Sequence, residues 1–390
     1  MVNEAKTVAD SENCCACMAC LNVCPKKAIE FKPDNYGFLY PSVDKELCIS
    51  CGKCLKACRF SKEELDAEHP QKCFAAVNMD PTVLKKSSSG GVFGALADIV
   101  LEEGGFVFGA AFDDDLNVHH ICAGSKEELD KLRGSKYVQS SAGLSYSEVK
   151  DLLKDGKKVL FSGTPCQVDA LKSVLDNTDT ADLITVDLIC HGTPNNLIFH
   201  RYLEYLENKK GGKITRYSFR SKARSWSAIC SDFDCHTEDS GTRTIVLGRY
   251  DEFYVPEYLN GNLSRAECFS CKYASQNRVG DFTIGDFWGF RKGNITLEHK
   301  NGLSVCTANT DKAVKLLEKL KERMELQEVD YSVAVSGNEA LRKPTTCGKR
   351  RERVLKLILA GKCKKVYREY RTGYYYKKIR KKIKAVFKHN

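Results

Sequence analysis

Two stretches of the chain carry the same pattern of apolar and polar positions. Lys157–Phe161 is a short β-branched and apolar run that opens into Ser162-Gly163-Thr164-Pro165-Cys166-Gln167, and a helical spacing starts at Val168. Leu183–Ile189 is a second such run. It opens into Cys190-His191-Gly192, and beyond Thr193 and Pro194 a helix continues to about Lys209. Strand, turn and helix repeated in this way predict a parallel α/β sheet. Sites in such sheets form outside the carboxyl ends of the strands, so Cys166 and Cys190 are expected to face one crevice. Earlier in the chain, Cys73–Val77 reads as an apolar strand, and Val92, Leu96, Ile99 and Val100 recur at helical spacing. Phe106–Phe112 and Val118–Cys122 read as a strand pair around a solvated Asp113–Asp115 turn, and Ser125 with Glu128 marks a helix start. Residues 213 to 250 alternate in strand fashion and predict an antiparallel insert, and Thr310 caps a polar helix through Met324. The expected class is α+β / α/β.

The segment before Cys73 has a different logic. Cys14, Cys17, Cys20 and Cys24 are followed by Pro25, and Cys48, Cys51, Cys54 and Cys58 repeat the spacing C-x2-C-x2-C-x3-C. A cubane iron–sulfur cluster needs four thiolates at the corners of a tetrahedron. A short loop wraps three of them, and the fourth, one turn further on, points to the neighbouring cluster. The expected quartets are therefore Cys14, Cys17, Cys20 and Cys58, and Cys48, Cys51, Cys54 and Cys24. The pattern resembles bacterial two-cluster ferredoxins, with Arg59 where the first run has proline. Zinc sites use two pairs of ligands, and no secretory signal precedes the cysteines to suggest disulfides. Cys15 is surplus to the pattern and reads as a bystander. The charged stretch from Lys62 through Glu63, Glu64, Asp66 and Glu68 to Pro70 reads as a linker, giving an amino-terminal unit over residues 1–62 and a second unit over 70–345.

Two further segments suit an anion. Ser87-Ser88-Ser89-Gly90-Gly91 precedes a helix, where free N–H groups and the helix dipole attract phosphate; the plain alternative is a serine cap. Arg133-Gly134-Ser135-Lys136-Tyr137 places basic residues beside glycine and serine.

Composition narrows the setting. The chain has 390 residues and 20 cysteines. Cysteine on that scale, without a secretory signal, points to metal ligation in a reducing cytoplasm. No run approaches the roughly 20 uncharged apolar residues of a membrane span. The net charge of +10 is uneven, because 19 Lys and Arg stand against two acidic residues from Arg342 onward. The body is therefore mildly acidic. No G-x-G-x-x-G follows a strand and no phosphate-binding G-x-x-x-x-G-K-[ST] occurs, which argues against nicotinamide and phosphoryl-transfer sites.

Cys166, Cys190, Cys268 and Cys271 form a third constellation: two strand-end thiols and a C-x2-C pair. By spacing alone it is compatible with zinc, a redox dithiol, a further cubane or no metal. Gly163-Thr164-Pro165-Cys166-Gln167, Ile189-Cys190-His191-Gly192, Cys268-x-x-Cys271 and Gly285-Asp286-Phe287-Trp288-Gly289 stand in that order. In that order they resemble the family of the coenzyme F(420) hydrogenase/dehydrogenase beta subunit, here behind a two-cluster ferredoxin domain. The resemblance implies FAD, a third 4Fe–4S cluster on Cys166, Cys190, Cys268 and Cys271, and electron transfer between a deazaflavin or another donor and iron–sulfur partners. By position it nominates Ser89, Gly90, Gly91, Ser135, Lys136, Ser162 and Gly163 as flavin contacts. Lys136 would balance charge at the flavin N1–C2 end. His191 would supply a proton near the third cluster or simply stabilise its turn.

Residues 346–390 change character. Tyr376, Ile379, Ile383, Val386 and Phe387 recur at helical spacing among Lys377, Lys378, Arg380, Lys381, Lys382 and Lys384. Such a basic helix suits the inner face of a membrane or an acidic protein partner, or it packs on its own domain; no nucleic-acid-binding fold accompanies it. The overall expectation is a cytoplasmic iron–sulfur flavoprotein oxidoreductase, either soluble or peripheral on the inner face of the membrane, with a redox partner protein or a deazaflavin-type donor. The rival is a relay subunit without catalysis of its own.

Overall fold

The computed structural model describes residues 7–10, 13–60, 62 and 65–386. Glu63 and Glu64 of the expected linker lie outside the described residues. The amino-terminal unit comprises the helical turn α1 (Ala19–Val23), the hairpin β1 (Ile29–Pro33) and β2 (Leu39–Val43), and α2 (Lys53–Ala57). In chain order there follow β3 (Lys72–Asn78), α3 (Pro81–Lys86), α4 (Val92–Glu102), β4 (Phe106–Phe112), β5 (Val118–Ala123), α5 (Lys126–Leu132) and α6 (Ser145–Lys154). Next come β6 (Val159–Gly163), α7 (Pro165–Val174), β7 (Leu183–Leu188) and α8 (Asn196–Lys210). The insert is β8 (Lys213–Ser218), β9 (Cys230–Thr237) and β10 (Gly241–Gly248). The remainder is α9 (Tyr254–Leu259), β11 (Phe282–Asp286), β12 (Ser304–Ala308), α10 (Asp311–Lys321), β13 (Met324–Glu328), α11 (Tyr331–Gly337), α12 (Arg351–Leu359) and α13 (Cys363–Val386).

Eight strands form one mixed sheet in the order β13-β3-β12-β11-β7-β6-β4-β5. Its centre is parallel: β4 beside β6, β6 beside β7 and β7 beside β11. The flanking pairs are antiparallel. The two strand–turn–helix repeats thus lie side by side, with Val159 opposite Leu183 and Gly163 opposite Asp187. Side chains alternate along these strands. Leu160, Ile184 and Val186 pack with α4, α5 and α10 on one face. Val159, Phe161 and Leu183 pack with α6 and α7 on the other.

That second face also takes in Met18, Ala19 and Ala57 from the amino-terminal unit. Ser173 Oγ donates to Ala57 O at 3.0 Å, and Asn22 Nδ2 donates to Gly143 O at 2.8 Å. The amino-terminal unit therefore shares a core with the sheet.

The insert is a three-stranded antiparallel sheet, as its alternation predicts. It packs on α8, and its core contains Val354, Leu355 and Ile358 of α12 and Val366 and Tyr370 of α13. The first half of the basic tail is therefore part of the body. Each fully buried aliphatic side chain contributes about 1.5–3 kcal/mol, whereas exposed charges interact by about 1 kcal/mol or less. Packing outweighs charge here, although charge is the more conspicuous feature of the tail's sequence. α13 continues to Val386. The seam from Tyr376 to Val386 lies outside the described side chains, and Phe387 lies outside the described residues. Among the described residues no helix is long and apolar enough to cross a membrane.

One ion pair holds the middle of the sheet. Arg278, 2% exposed, donates from Nη2 to Asp187 Oδ1 at 2.6 Å. The same guanidinium reaches Leu188 O at 3.3 Å, Tyr273 O at 3.1 Å and Ser275 O at 3.2 Å. The other oxygen of Asp187 accepts from Val279 N at 3.1 Å and Gly280 N at 2.8 Å. Every strong acceptor and donor in the pair is thus satisfied without water.

A second buried polar group, His120 on β5, stacks on Phe161 at 5.1 Å. Its Nε2 donates to Ser162 O at 3.1 Å, so Nδ1 accepts from Ser140 Oγ at 2.8 Å and the imidazole is neutral. Burial pulls its pKa down to about 4.

Replacing Arg278 by Met or Asp187 by Ala strands a buried charge, which typically costs about 3–5 kcal/mol; urea unfolding of each variant should show a loss of that order. His120 works through pH. Between its folded and unfolded pKa values the unfolded chain takes up a proton that the native chain refuses, so stability falls as pH drops below about 6.5. By pH 5.5 the loss is about 1.4 kcal/mol, and His120→Gln should lack that component when unfolding is compared at pH 7.5 and 5.5.

Candidate functional site

The cysteines of the two amino-terminal runs lie near one another, with Cys24, Cys54 and Cys58 packed against the buried cluster that includes Cys20. Burial pushes the Cys14 thiol up to about 12; the Ala16 N–H and Arg265 oppose the shift, and Cys17 and Cys58 add to it. Burial likewise raises Cys20, with Cys17, Cys14 and Cys58 contributing. Cys58, from the second run, therefore stands among the first three cysteines. Cys24, from the first run, lines a small cavity of about 30 Å³ with Cys48, Cys51 and Cys54. Backbone N–H groups already point at sulfur, Ala16 N to Cys14 and Ala28 N to Cys24, both at 3.3 Å. Among the described residues no three His, Cys, Asp or Glu side chains are drawn close enough to hold a single metal ion.

The third constellation also assembles. Cys166 lies in the first turn of α7, whose start is fixed by a reciprocal cap between Thr164 and Gln167. Thr164 Oγ1 is 3.2 Å from its sulfur. Cys190 follows the end of β7 and accepts from Gly192 N at 3.4 Å. Cys268 sits on the short 3₁₀ turn Ala266–Ser270, with Thr193 Oγ1 at 4.0 Å from its sulfur. Burial raises the Cys190 thiol, and Cys268, Cys166 and Cys271 each raise it further. Burial, then Cys166 and Cys268, push Cys271 up to about 12. The set is placed by Arg278, which ties the end of β7 just ahead of Cys190 to Tyr273 and Ser275 just after Cys271. Were these four residues to hold metal, the thiols that burial keeps protonated would have to release their protons.

Cys15, surplus to the spacing, is buried, and the neighbouring Cys166 and Cys17 thiols, together with burial, hold its pKa well above the ordinary thiol value. Cys15 is in turn the main cause that lowers the pKa of Cys166.

Beside the third constellation lies a cavity of about 790 Å³. Ser89, Gly91, Ser135, Lys136, Ser162 and Gly163 line it, and so do Cys190 and His191. The two anion-suited segments are neighbours, with Ser135 N donating to Ser88 Oγ at 2.7 Å. Arg133 lies against the first turn of α4. Its side chain is 8% exposed, and Nε bonds Asp130 at 3.1 Å, while Nη1 is buried and has no hydrogen-bond partner. Gly94 makes this approach possible, because a Cβ there would stand 2.3 Å from Nη1. At the opposite wall, Asp286 pairs with Arg220 at 2.5 Å. Trp288, 37% exposed, stacks on Trp226 at 5.1 Å. The Gly285–Gly289 motif thus forms cavity wall.

Gly90 and Lys136 take other roles. Gly90 is absent from the cavity lining: a Cβ on it would meet Ala76 O at 2.1 Å, and its N–H donates to Ser304 Oγ at 2.8 Å, so it is a packing glycine between β3 and β12. The Lys136 ammonium donates to Ala110 O at 2.8 Å and to Lys131 O and Arg133 O at 3.0 Å each. Its three protons are used by carbonyls that hold its own loop shut. Burial draws its pKa down to about 7, and those acceptors favour the charged form against that pull. The carbonyl of His191 accepts from Thr345 Oγ1 at 2.9 Å, and burial holds the pKa of the imidazole below its ordinary value. Gly94, His120, Arg265 and Arg278 are not marked by any motif in the sequence. Only Gly94 leaves a signal there, a glycine on the apolar face of a helix's first turn.

The N-terminal and C-terminal models of the coenzyme F(420) hydrogenase/dehydrogenase beta subunit match residues 73–146 and 156–333. A 4Fe–4S dicluster domain matches residues 13–62. One subunit of the F(420)H(2) dehydrogenase of Methanosarcina mazei is 23% identical over 194 residues, 47% of this chain and 54% of that protein. An uncharacterized protein of Methanocaldococcus jannaschii is 26% identical over 202 residues, 45% of this chain and 56% of that protein. The chain spans about half the length of the curated relatives it matches. A chain of the F(420)-reducing NiFe hydrogenase complex from Methanosarcina barkeri is 18% identical, with a TM-score of 0.45 over 79% of this chain and 94% of that one. The two halves of one family's model thus cover the sheet and both of its strand-end cysteines, and the chain belongs to the family of the coenzyme F(420) hydrogenase/dehydrogenase beta subunit, preceded by a 4Fe–4S dicluster domain.

Proposed function

We propose that this chain is an iron–sulfur flavoprotein oxidoreductase subunit. In this reading FAD occupies the large cavity, a third 4Fe–4S cluster sits on Cys166, Cys190, Cys268 and Cys271, and the two amino-terminal clusters carry electrons onward to a partner redox protein. The observation that supports it is that one cavity of about 790 Å³ has an anion-suited wall on one side and the strand end bearing Cys190 on the other. Bound FAD supplies two-electron chemistry with a hydride donor and one-electron exchange with cubanes.

The chain's own residues bind and orient. The unpartnered Nη1 of Arg133, the first turn of α4 and the Ser88 hydroxyl suit a diphosphate. Ser162 and Gly163 present backbone at the carboxyl end of β6. The Trp288–Trp226 stack and the Arg220–Asp286 pair shield one wall from water. Burial favours a neutral imidazole at His191, next to Cys190, where the unprotonated ring nitrogen can take up a proton and pass it on. The name of the Methanosarcina mazei relative supports a reduced deazaflavin as donor; reduced ferredoxin is the other donor class.

Anaerobically purified protein should contain about 12 iron atoms per chain and about one FAD. About eight iron atoms and no flavin would overturn the assignment. Oxidation of a reduced deazaflavin by the isolated chain separates an enzyme from a relay that acts only inside a complex. Arg133→Ala should weaken flavin retention about 10- to 100-fold, the worth of one charge-assisted hydrogen bond, with iron content unchanged. Gly94→Ala should act in the same direction by crowding Arg133, as read by flavin fluorescence released on dilution.

A further inference from the structure

We infer that Arg265 is a positioning residue shared by two redox sites: a buried cation that sets the potentials of both the cluster on Cys14, Cys17, Cys20 and Cys58 and the cluster on Cys166, Cys190, Cys268 and Cys271. The inference rests on the reading that both sets carry 4Fe–4S clusters.

Arg265 is fully buried and stands three residues before Cys268. Nη1 donates to Cys14 O and Nη2 to Leu39 O, each at 2.5 Å, and Nε donates to Gln139 Oε1 at 3.4 Å. These acceptors are neutral. They solvate the guanidinium without cancelling its charge. The carboxylate paired with it, Glu267, is 3.7 Å away and also accepts from Tyr40 OH at 2.9 Å. The Tyr40 ring lies beneath the guanidinium at 4.6 Å. Burying a charge costs several kcal/mol unless an opposite charge is near. Two thiolate-ligated clusters would supply that charge from two sides, since the guanidinium bonds the Cys14 carbonyl and the backbone carbonyl of Arg265 accepts from Cys268 N at 3.2 Å.

The surrounding contacts hold the two sites in one geometry. Three carbonyls of the first cysteine loop each accept a hydrogen bond from the sheet domain: Cys14 from Arg265, Cys15 from Gln139 Nε2 at 2.7 Å, and Cys17 from the Tyr146 hydroxyl at 2.8 Å. Between them lies the buried side chain of Cys15. The step served is a single electron: the giving cluster is oxidised by one unit, the receiving cluster is reduced by one, and no bond forms or breaks. A cation between the two favours the reduced state of each.

The test is a redox titration of the loaded protein followed by electron paramagnetic resonance, on the wild type, Arg265→Gln, Arg265→Lys and Glu267→Gln. Iron is counted first. A wild type with only about eight iron atoms would defeat the three-cluster reading itself, before Arg265 is tested. With full iron, Arg265→Gln should shift the first amino-terminal cluster and the third cluster to lower potential by at least tenfold in equilibrium constant, about 59 mV for one electron. The cluster on Cys24, Cys48, Cys51 and Cys54 should stay in place. Arg265→Lys should hold both potentials near the wild-type values. Glu267→Gln removes the opposing charge and should move the same two clusters upward. If Arg265→Gln loses iron, Glu267→Gln decides. Potentials unchanged by Glu267→Gln, or by Arg265→Gln at full iron, would reduce Arg265 to a packing residue and overturn the proposal.

Discussion

A guanidinium sealed away from water must find an acceptor for every proton, and Arg278 does so by drawing together segments far apart in sequence. Its partners are Asp187 and Leu188 at the end of β7 and Tyr273 and Ser275 beyond the C-x2-C pair. Asp187 in turn accepts from the two amides just before β11. With those bonds in place, β7 and β11 lie parallel, and Cys190 has no freedom to drift from Cys271. The third cysteine set is thus positioned by an ion pair that contains no cysteine.

The cavity follows from the same arrangement. The parallel strands β6 and β7 end side by side, and what leaves their carboxyl ends is short: Thr164 and Cys166 from one, Cys190 to Thr193 from the other. Open sheets bind ligands at this end because strand backbones stop there while helix N-termini begin. The molecule adds α4 and the Arg133 loop as a second wall, and the insert closes the space with Phe219, Arg220 and Arg224.

Much of this is legible in the chain because it is local. β6 and β7 announce themselves by apolar runs, the insert by alternation, and the dicluster domain by the repeated spacing of its two cysteine runs. What the sequence hides is settled by distant contacts. Lys136 reads as a cavity cation, yet carbonyls at positions 110, 131 and 133 claim its protons. Gly90 and Gly91 read alike, but only Gly91 reaches the cavity, because Gly90 is pressed between β3 and β12. The tail reads as charge, whereas Val354, Leu355 and Ile358 make its first helix core. Arg265 and Arg278 sit among ordinary polar residues, and nothing in their flanks marks them as buried.

The shared core of Met18, Ala19 and Ala57 with the sheet has a kinetic meaning. A free ferredoxin finds its partner by diffusion, steered by surface charge, so its delivery rate depends on concentration and fades as salt screens the encounter. In the proposed reading the carrier is built into the molecule that it serves, and its cysteine loop is held by hydrogen bonds from Arg265, Gln139 and Tyr146 within one chain. Any exchange between the two would be first order and indifferent to ionic strength, leaving salt to act only where the chain meets something outside itself.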